Sequence, residues 1–205
     1  MPSVRASVLD GVLAGMMVSI GGTVLLSCDN RYLGAGLFCI ALLAICYFGF
    51  NLYTGKVGYL YLDHSRANLS VTFSGLLGNL CGTLLMGLLI GAALPQLPET
   101  AAAACEKRLL QLPLQTLLRG FFCGILMYVA VWIYREKQSL TGIFFCIPVF
   151  VLSGFEHSIA DMFYFALAGL YNGKSIIFLL LVLLGNSLGG MFIPFVQSMR
   201  GEARA

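Results

Sequence analysis

Along the chain, apolar residues gather into long runs separated by short polar turns. The first run, Val8 to Ser27, ends at Cys28-Asp29-Asn30-Arg31. The second extends from Leu33 to Leu62, too long and too interrupted for one plain helix, and closes on Asp63-His64-Ser65-Arg66. A third, Leu69 to Leu94, stops at Pro95 and Pro98. An Ala-rich polar stretch of helical composition, Glu99 to Arg108, follows it. The fourth run, Leu114 to Tyr134, is closed by Arg135-Glu136-Lys137. The fifth, Leu140 to Leu170, is again long and interrupted, and the sixth runs from Ile176 to Met199. Crossing a hydrocarbon core takes about 20 apolar residues, and there only a helix satisfies its own backbone from within one segment. The pattern predicts an all-α membrane protein with six transmembrane helices.

Local patterns recur between the two halves. Gly11-x-x-x-Gly15 returns as Gly120-x-x-x-Gly124, Gly49-Phe50-Asn51 as Gly154-Phe155-Glu156, and Gly78-Asn79-x-x-Gly82 as Gly185-Asn186-x-x-Gly189. The offsets are 109, 105 and 107 residues, so the register survives small differences in loop length. Glycine pairs alone often mark close helix packing, but an Asn inside an apolar span is expensive, and here it recurs in the same local frame. Three spans per half is an odd number, so the second copy enters the membrane the other way round, as an inverted repeat. Residues 1–205 are then one transmembrane domain: 1–93 the first repeat, 94–113 a connecting loop, 114–205 the second repeat. Spans two and five are expected to break, around Gly49 to Lys56 and Ser153 to Ser158. Interrupted backbone at membrane depth is tolerated only inside protein or beside a wet cavity. Glu156 and His157 stand in one such break, and intramembrane ionisable residues point to function.

Composition agrees with this reading. The 205 residues are 59% hydrophobic and 10% charged, with mean hydropathy +0.90, where a soluble domain carries roughly 25% charged residues. A net charge of +3, scattered along the chain, gives no basis for nucleic-acid binding. The seven cysteines, Cys28, Cys39, Cys46, Cys81, Cys105, Cys123 and Cys146, mostly sit in apolar runs at no metal-ligand spacing and read as small apolar filler. No metal site or cofactor is expected. Asp10 and Gly11 lead into a full-length span without a cleavage site, so no detachable signal peptide is expected. With both termini cytoplasmic, the inner ends carry Arg5, Arg66, Arg135, Lys137, Arg200 and Arg204, and the outer ends Arg31, Lys107, Arg108 and Lys174. The basic residues thus lean towards that orientation.

Several runs resemble the signatures of the formate/nitrite transporter family: Gly154-Phe155-Glu156-His157-Ser158-Ile159-Ala160-Asp161-Met162, Leu52-Tyr53-Thr54-Gly55-Lys56, Arg119-Gly120-Phe121-Phe122-Cys123 with Ala130-Val131-Trp132, and Leu184-Gly185-Asn186-Ser187-Leu188-Gly189-Gly190. The resemblance covers all six spans in order. It implies an aquaporin-like fold in the cell membrane, a homopentamer, and a pore through each protomer. By the same resemblance His157 is the central pore histidine, and Thr54 and Asn186 are its hydrogen-bonding neighbours. Glu156 is then an acid beside it, more structural than substrate-binding. Phe38, Leu42, Leu52 and Phe150 match the apolar constrictions, and Lys107 or Arg108 falls near a basic vestibule residue. The chain also departs from the family's pattern. Gly124 stands at a common Asn, which would remove a polar pore contact; Asn51 replaces a common Glu and Asp161 a common Asn. No counterpart is expected of the N-terminal amphipathic helix that some members carry.

An unpaired anion in a dry constriction faces a solvation penalty on the order of tens of kcal/mol by idealised estimates. Donors from Thr54, Asn186 and His157 would replace part of its hydration, or a proton would neutralise it. Histidine suits either role, with a reference pKa of roughly 6.5, and an anion beside it favours its charged form. The expected function is a channel or transporter for small monovalent weak-acid anions, formate or nitrite first. Hydrosulfide or another small monocarboxylate, such as acetate or lactate, is the alternative. An intramembrane enzyme is disfavoured because no HExxH motif occurs, and the two histidines, His64 and His157, stand in different elements. A neutral-solute channel of the water-channel type would carry paired Asn-Pro-Ala motifs, and the chain has none.

Overall fold

The computed structural model describes residues 3–201, and among them the regular elements are all helices. Arg204, counted above among the basic residues of the inner ends, lies outside the described residues. Several helices start where the sequence offers a side-chain cap. Ser3 accepts from the Ala6 N–H ahead of α1 (Val4–Ser27), and Asn30 caps Tyr32 and Leu33 ahead of α2 (Arg31–Leu37). Across Phe38, whose backbone stays in the right-handed helical region, the second span continues as α3 (Cys39–Phe48). It then breaks, and resumes as the single turn α4 (Tyr53–Lys56) and a 3₁₀ turn, Val57–Tyr61. Ser65 caps α5 (Arg66–Ala93). The connecting segment is more than a loop, because residues Leu97–Leu109 form α6, which packs on the second half of span five. Pro113 opens α7 (Pro113–Lys137), at the position where its missing N–H is harmless. Span five is α8 (Thr141–Ser153) and α9 (Ser158–Ala168), bent by 54° across the break. Asn172 caps α10 (Gly173–Met199).

Among the described residues, five helical stretches are long and apolar enough to cross a membrane, and the bent pair α8–α9 makes a sixth. The protein is therefore multi-pass, with six spans arranged as two inverted three-helix repeats. Both expected breaks are present, and both use the same device: Gly49 and Gly154 end α3 and α8 with φ of +73° and +71°, a region glycine enters without strain. The long helices run a few residues past the expected ends, since polar capping residues sit outside the apolar runs. Within each half, the first and third spans pack face to face: α1 on α5, and α7 on α10. The Gly-Asn-x-x-Gly patterns lie at these seams, which brings each asparagine against the partner helix and the break behind it.

Candidate functional site

A helix that stops inside a membrane leaves backbone groups without partners. In both halves one asparagine supplies them. Asn186 Oδ1 accepts from the Ser158 N–H at 2.8 Å, and its Nδ2 donates to the carbonyls of Glu156 (2.9 Å) and Gly120 (2.8 Å). Asn79 repeats the pattern, accepting from Tyr53 N–H at 2.9 Å and donating to Asn51 and Gly11 carbonyls, both at 2.9 Å. The expectation that Asn186 offers a hydrogen bond to a substrate is corrected here. Both of its N–H groups are committed to carbonyls, so its work is to hold the break closed. Asn79 was legible only as a repeat marker, and its role as the matching clamp emerged with the fold.

Position 124 is corrected for a related reason. A side chain on Gly124 would run into the backbone of Asn186, so this glycine lets α7 and α10 approach and does not replace a pore contact. In the first half, Asn51 takes the place corresponding to Glu156 and donates to the carbonyls of Ser7 (3.3 Å) and Val71 (2.8 Å).

His157 precedes the first turn of α9 and caps it through its ring, with Nδ1 accepting from the Ala160 N–H at 3.2 Å. A neutral ring that accepts at Nδ1 carries its hydrogen on Nε2. That atom lies 2.8 Å from Thr54 Oγ1, in the resumed turn of span two. The two breaks, 103 residues apart in sequence, thus meet through one hydrogen bond. Phe150 stacks on the imidazole with ring centroids 5.7 Å apart, and Phe38 packs edge-on against Phe150 at 6.1 Å.

Two cavities approach this pair from opposite sides. One, of about 580 Å³, is lined by Phe38, Phe150, His157, Ala160, Lys107 and Arg108 among others. The second, of about 500 Å³, is lined by Leu42, Leu52, Lys56, Tyr59, Val131 and Arg135 among others. Thr54 lines neither and is buried between them. The expected apolar residues therefore divide into an aromatic pair on the histidine side and a leucine pair on the lysine side. All four are buried.

The connecting helix closes over the histidine-side cavity. Arg108 Nε lies 3.1 Å from both Glu156 Oε2 and Asp161 Oδ1, and its guanidinium stands over the Tyr164 ring. Burial disfavours the Arg108 charge, but Asp161 and Glu156 outweigh it and push the guanidinium above its usual pKa. Gln111 Nε2 donates to Glu156 Oε1 at 2.6 Å. Of the two vestibule candidates, Arg108 is the one bound to the acids, while Lys107 lines the same cavity. Basic residues not anticipated at the site also appear. Arg31 lines the histidine side and donates to the last carbonyls of α8, Val151 and Leu152, and Arg119 lines it too. Lys56 and Arg135 line the lysine side. Lys56 was visible within the Leu52–Lys56 run, but nothing in the sequence aimed it at a cavity.

Broken spans meeting between two basic-lined cavities, across a buried apolar neck, define a membrane transport protein. Residues 2–199 match the family described as formate/nitrite transporter, and the chain belongs to that family. It is a family of transporters, not of enzymes. The chain is 26% identical to the nitrite transporter NirC of Escherichia coli (strain K12) over 209 residues, covering 89% of this chain and 78% of that protein. It is 28% identical to YwcJ, an uncharacterized transporter of Bacillus subtilis (strain 168), over 185 residues, covering 78% and 72%. Among solved structures, an FNT family ion channel superposes with a TM-score of 0.83 at 24% identity, covering 97% of this chain and 89% of that one; this likeness concerns the fold alone. A pentameric formate channel with formate bound superposes at 0.78 and 25% identity, covering 97% of each chain.

Proposed function

We propose that this protein passes small monovalent weak-acid anions, formate or nitrite, through each protomer of a homopentamer, with His157 linking passage to a proton. The observation that carries this reading is the Thr54–His157 hydrogen bond, buried between two cavities with aromatic rings on one side and leucines on the other. Family membership, the NirC relatives and the formate-bound neighbour support the substrate class, and that same neighbour supports the pentamer. With the basic residues leaning towards the inner ends of the spans, both termini are cytoplasmic in the cell membrane and the histidine-side cavity faces out.

The ring geometry gives a route. Nδ1 sits at Ala160, which lines the histidine-side cavity, while Nε2 faces Thr54 in the neck. Charging the ring would set an Nδ1–H against the Ala160 N–H and a cation at a helix N-terminus, both unfavourable. An anion held by the Thr54 hydroxyl offsets that penalty. A proton then arrives at Nδ1 from the cavity, and the Nε2–H passes to the anion oxygen. The neutral acid crosses Leu42 and Leu52 without the solvation penalty of an ion. The ring, left with its hydrogen on Nδ1, returns to the capping tautomer by gaining a proton at Nε2 and losing the one at Nδ1, both exchanged with the histidine-side cavity, so that one proton crosses with each anion.

The test is uptake of labelled formate, and separately nitrite, into proteoliposomes carrying an internal pH dye. The wild type should bring in protons with the anion. His157→Asn keeps a cap and a donor but cannot titrate, so its anion flux should fall, and the flux that persists should carry no accompanying acidification. Undiminished proton movement in that variant would remove the histidine from the route.

A further inference from the structure

Beside the neck, the histidine-side cavity holds two carboxyl groups and one guanidinium in contact. Glu156 and Asp161 are 4% and 1% exposed, and each places an oxygen 3.1 Å from the same atom, Arg108 Nε. That atom has one hydrogen and must divide it. Glu156 completes its set with Gln111 on Oε1. Asp161 does not: its Oδ2 is buried and has no hydrogen-bond partner, while its Oδ1 converges with Glu156 Oε2 on the one Arg108 Nε. Arg119 stands 3.9 Å from Glu156 Oε1 but is 45% exposed and screened by solvent, and two buried carboxylates converging on one buried cation do not both ionise. A hydrogen placed between them satisfies both.

We infer that Glu156 and Asp161 share one proton, and that this proton sets whether anions enter the pore from the histidine side. The inference rests on the anion-transport reading above. With the proton in place, Arg108 balances the one remaining negative charge within the buried part of the cluster, and Arg119 lies at its solvent-exposed side. Once it is lost, a net negative charge stands beside His157 and repels the anion at the last point before the neck. Asp161 is thereby a determinant of anion admission, and anion entry falls as the pH on this side rises and the shared proton leaves.

The groups facing the pair come from each element around it. The connecting helix α6 contributes Arg108 and Cys105; α7 contributes Arg119 and Cys123; α9 contributes Tyr164, with His157 at its cap. The ionisable residues of α1, α5 and α10 are set elsewhere. Arg5, Asp10, Arg66 and Lys174 lie towards helix ends, and Cys81 is exposed.

Asp161→Asn is the discriminating variant. Its amide keeps an acceptor for Arg108 and supplies a donor to Glu156, so the packing survives while the shared proton is no longer needed. Infrared difference spectroscopy on the protein in liposomes should show a protonated-carboxyl band that shifts in D₂O and is missing from both Asp161→Asn and Glu156→Gln. Formate and nitrite uptake by the wild type should fall as pH on the histidine side is raised. Asp161→Asn should keep its uptake there, on the order of tenfold above wild type, as expected for removing one charge at nanometre range in a medium of intermediate dielectric. Proton movement per anion, which reports on His157, should be unchanged in that variant. Absence of the band, a wild-type pH profile in Asp161→Asn, or an equal loss of uptake at every pH would each overturn the inference. A wild type that carries neither anion would overturn the transport reading instead, and the infrared bands would still decide whether the proton is shared.

Discussion

His157 does three things with five ring atoms. It caps α9, joins the two breaks through Thr54, and stacks under Phe150. Thr54 is the simpler partner, and its contribution can be isolated. Thr54→Val keeps shape and burial but removes both the acceptor for Nε2–H and the hydroxyl donor offered to the anion. A hydrogen bond to a charged group contributes about 1.5–3 kcal/mol. Uptake in Thr54→Val should therefore fall roughly ten- to a hundredfold, measured as initial rate in proteoliposomes. Its pH profile should keep the wild-type shape, because threonine does not titrate. A shifted profile would mean that the hydroxyl also tunes the imidazole.

At the scale of elements, the breaks exist because each has a glycine to end one helix and an asparagine to hold the start of the next. Asn186→Leu strips partners from the Ser158 N–H and the Glu156 carbonyl, two buried backbone groups whose loss costs about 1–3 kcal/mol each. The expected outcome is loss of folded protein, seen as a lower melting temperature or aggregation in detergent, and not a folded channel with reduced flux. Asn79→Leu should do the same in the other half. Gly124→Asn belongs with these variants. Its side chain would meet the Asn186 backbone, so it should separate α7 from α10 and lower thermal stability. A stable Gly124→Asn protein with altered relative rates for formate and nitrite would restore position 124 to the pore.

For the whole molecule, the clamps allow a stronger statement about symmetry than the sequence pattern did. Asn79 and Asn186 bind backbone groups whose numbers differ by 105 to 109 residues, atom for atom. We propose on this basis that the described parts of residues 1–93 and 114–205 superpose about a two-fold axis in the membrane plane. The proposed pentamer makes its own prediction. If each protomer carries its own path past His157, pentamers mixed from wild-type and His157→Phe subunits should lose flux in proportion to the fraction of mutant subunits. A steep, cooperative loss would place the path on the five-fold axis and remove the site assigned here.

How much was legible in the sequence follows from the range of each interaction. Six apolar runs, their polar ends and the two breaks are local patterns, and the low polarity of the membrane leaves helices as their way to satisfy the backbone. The repeat was legible because Asn recurs in a fixed local frame where an idle Asn would be expensive. The family signatures pointed to His157 and Thr54, but a signature carries no direction for a side chain. Whether Asn186 faced an anion or a backbone, whether Gly124 faced a pore or a helix, and whether Arg108 or Lys107 met the acids were decided by contacts between segments tens of residues apart. The same is true of Asp161: as a sequence position it was a departure from a pattern. Only the packing of α6 over the second half of span five brought Arg108 between it and Glu156, because the energy of a charge depends on what surrounds it in space.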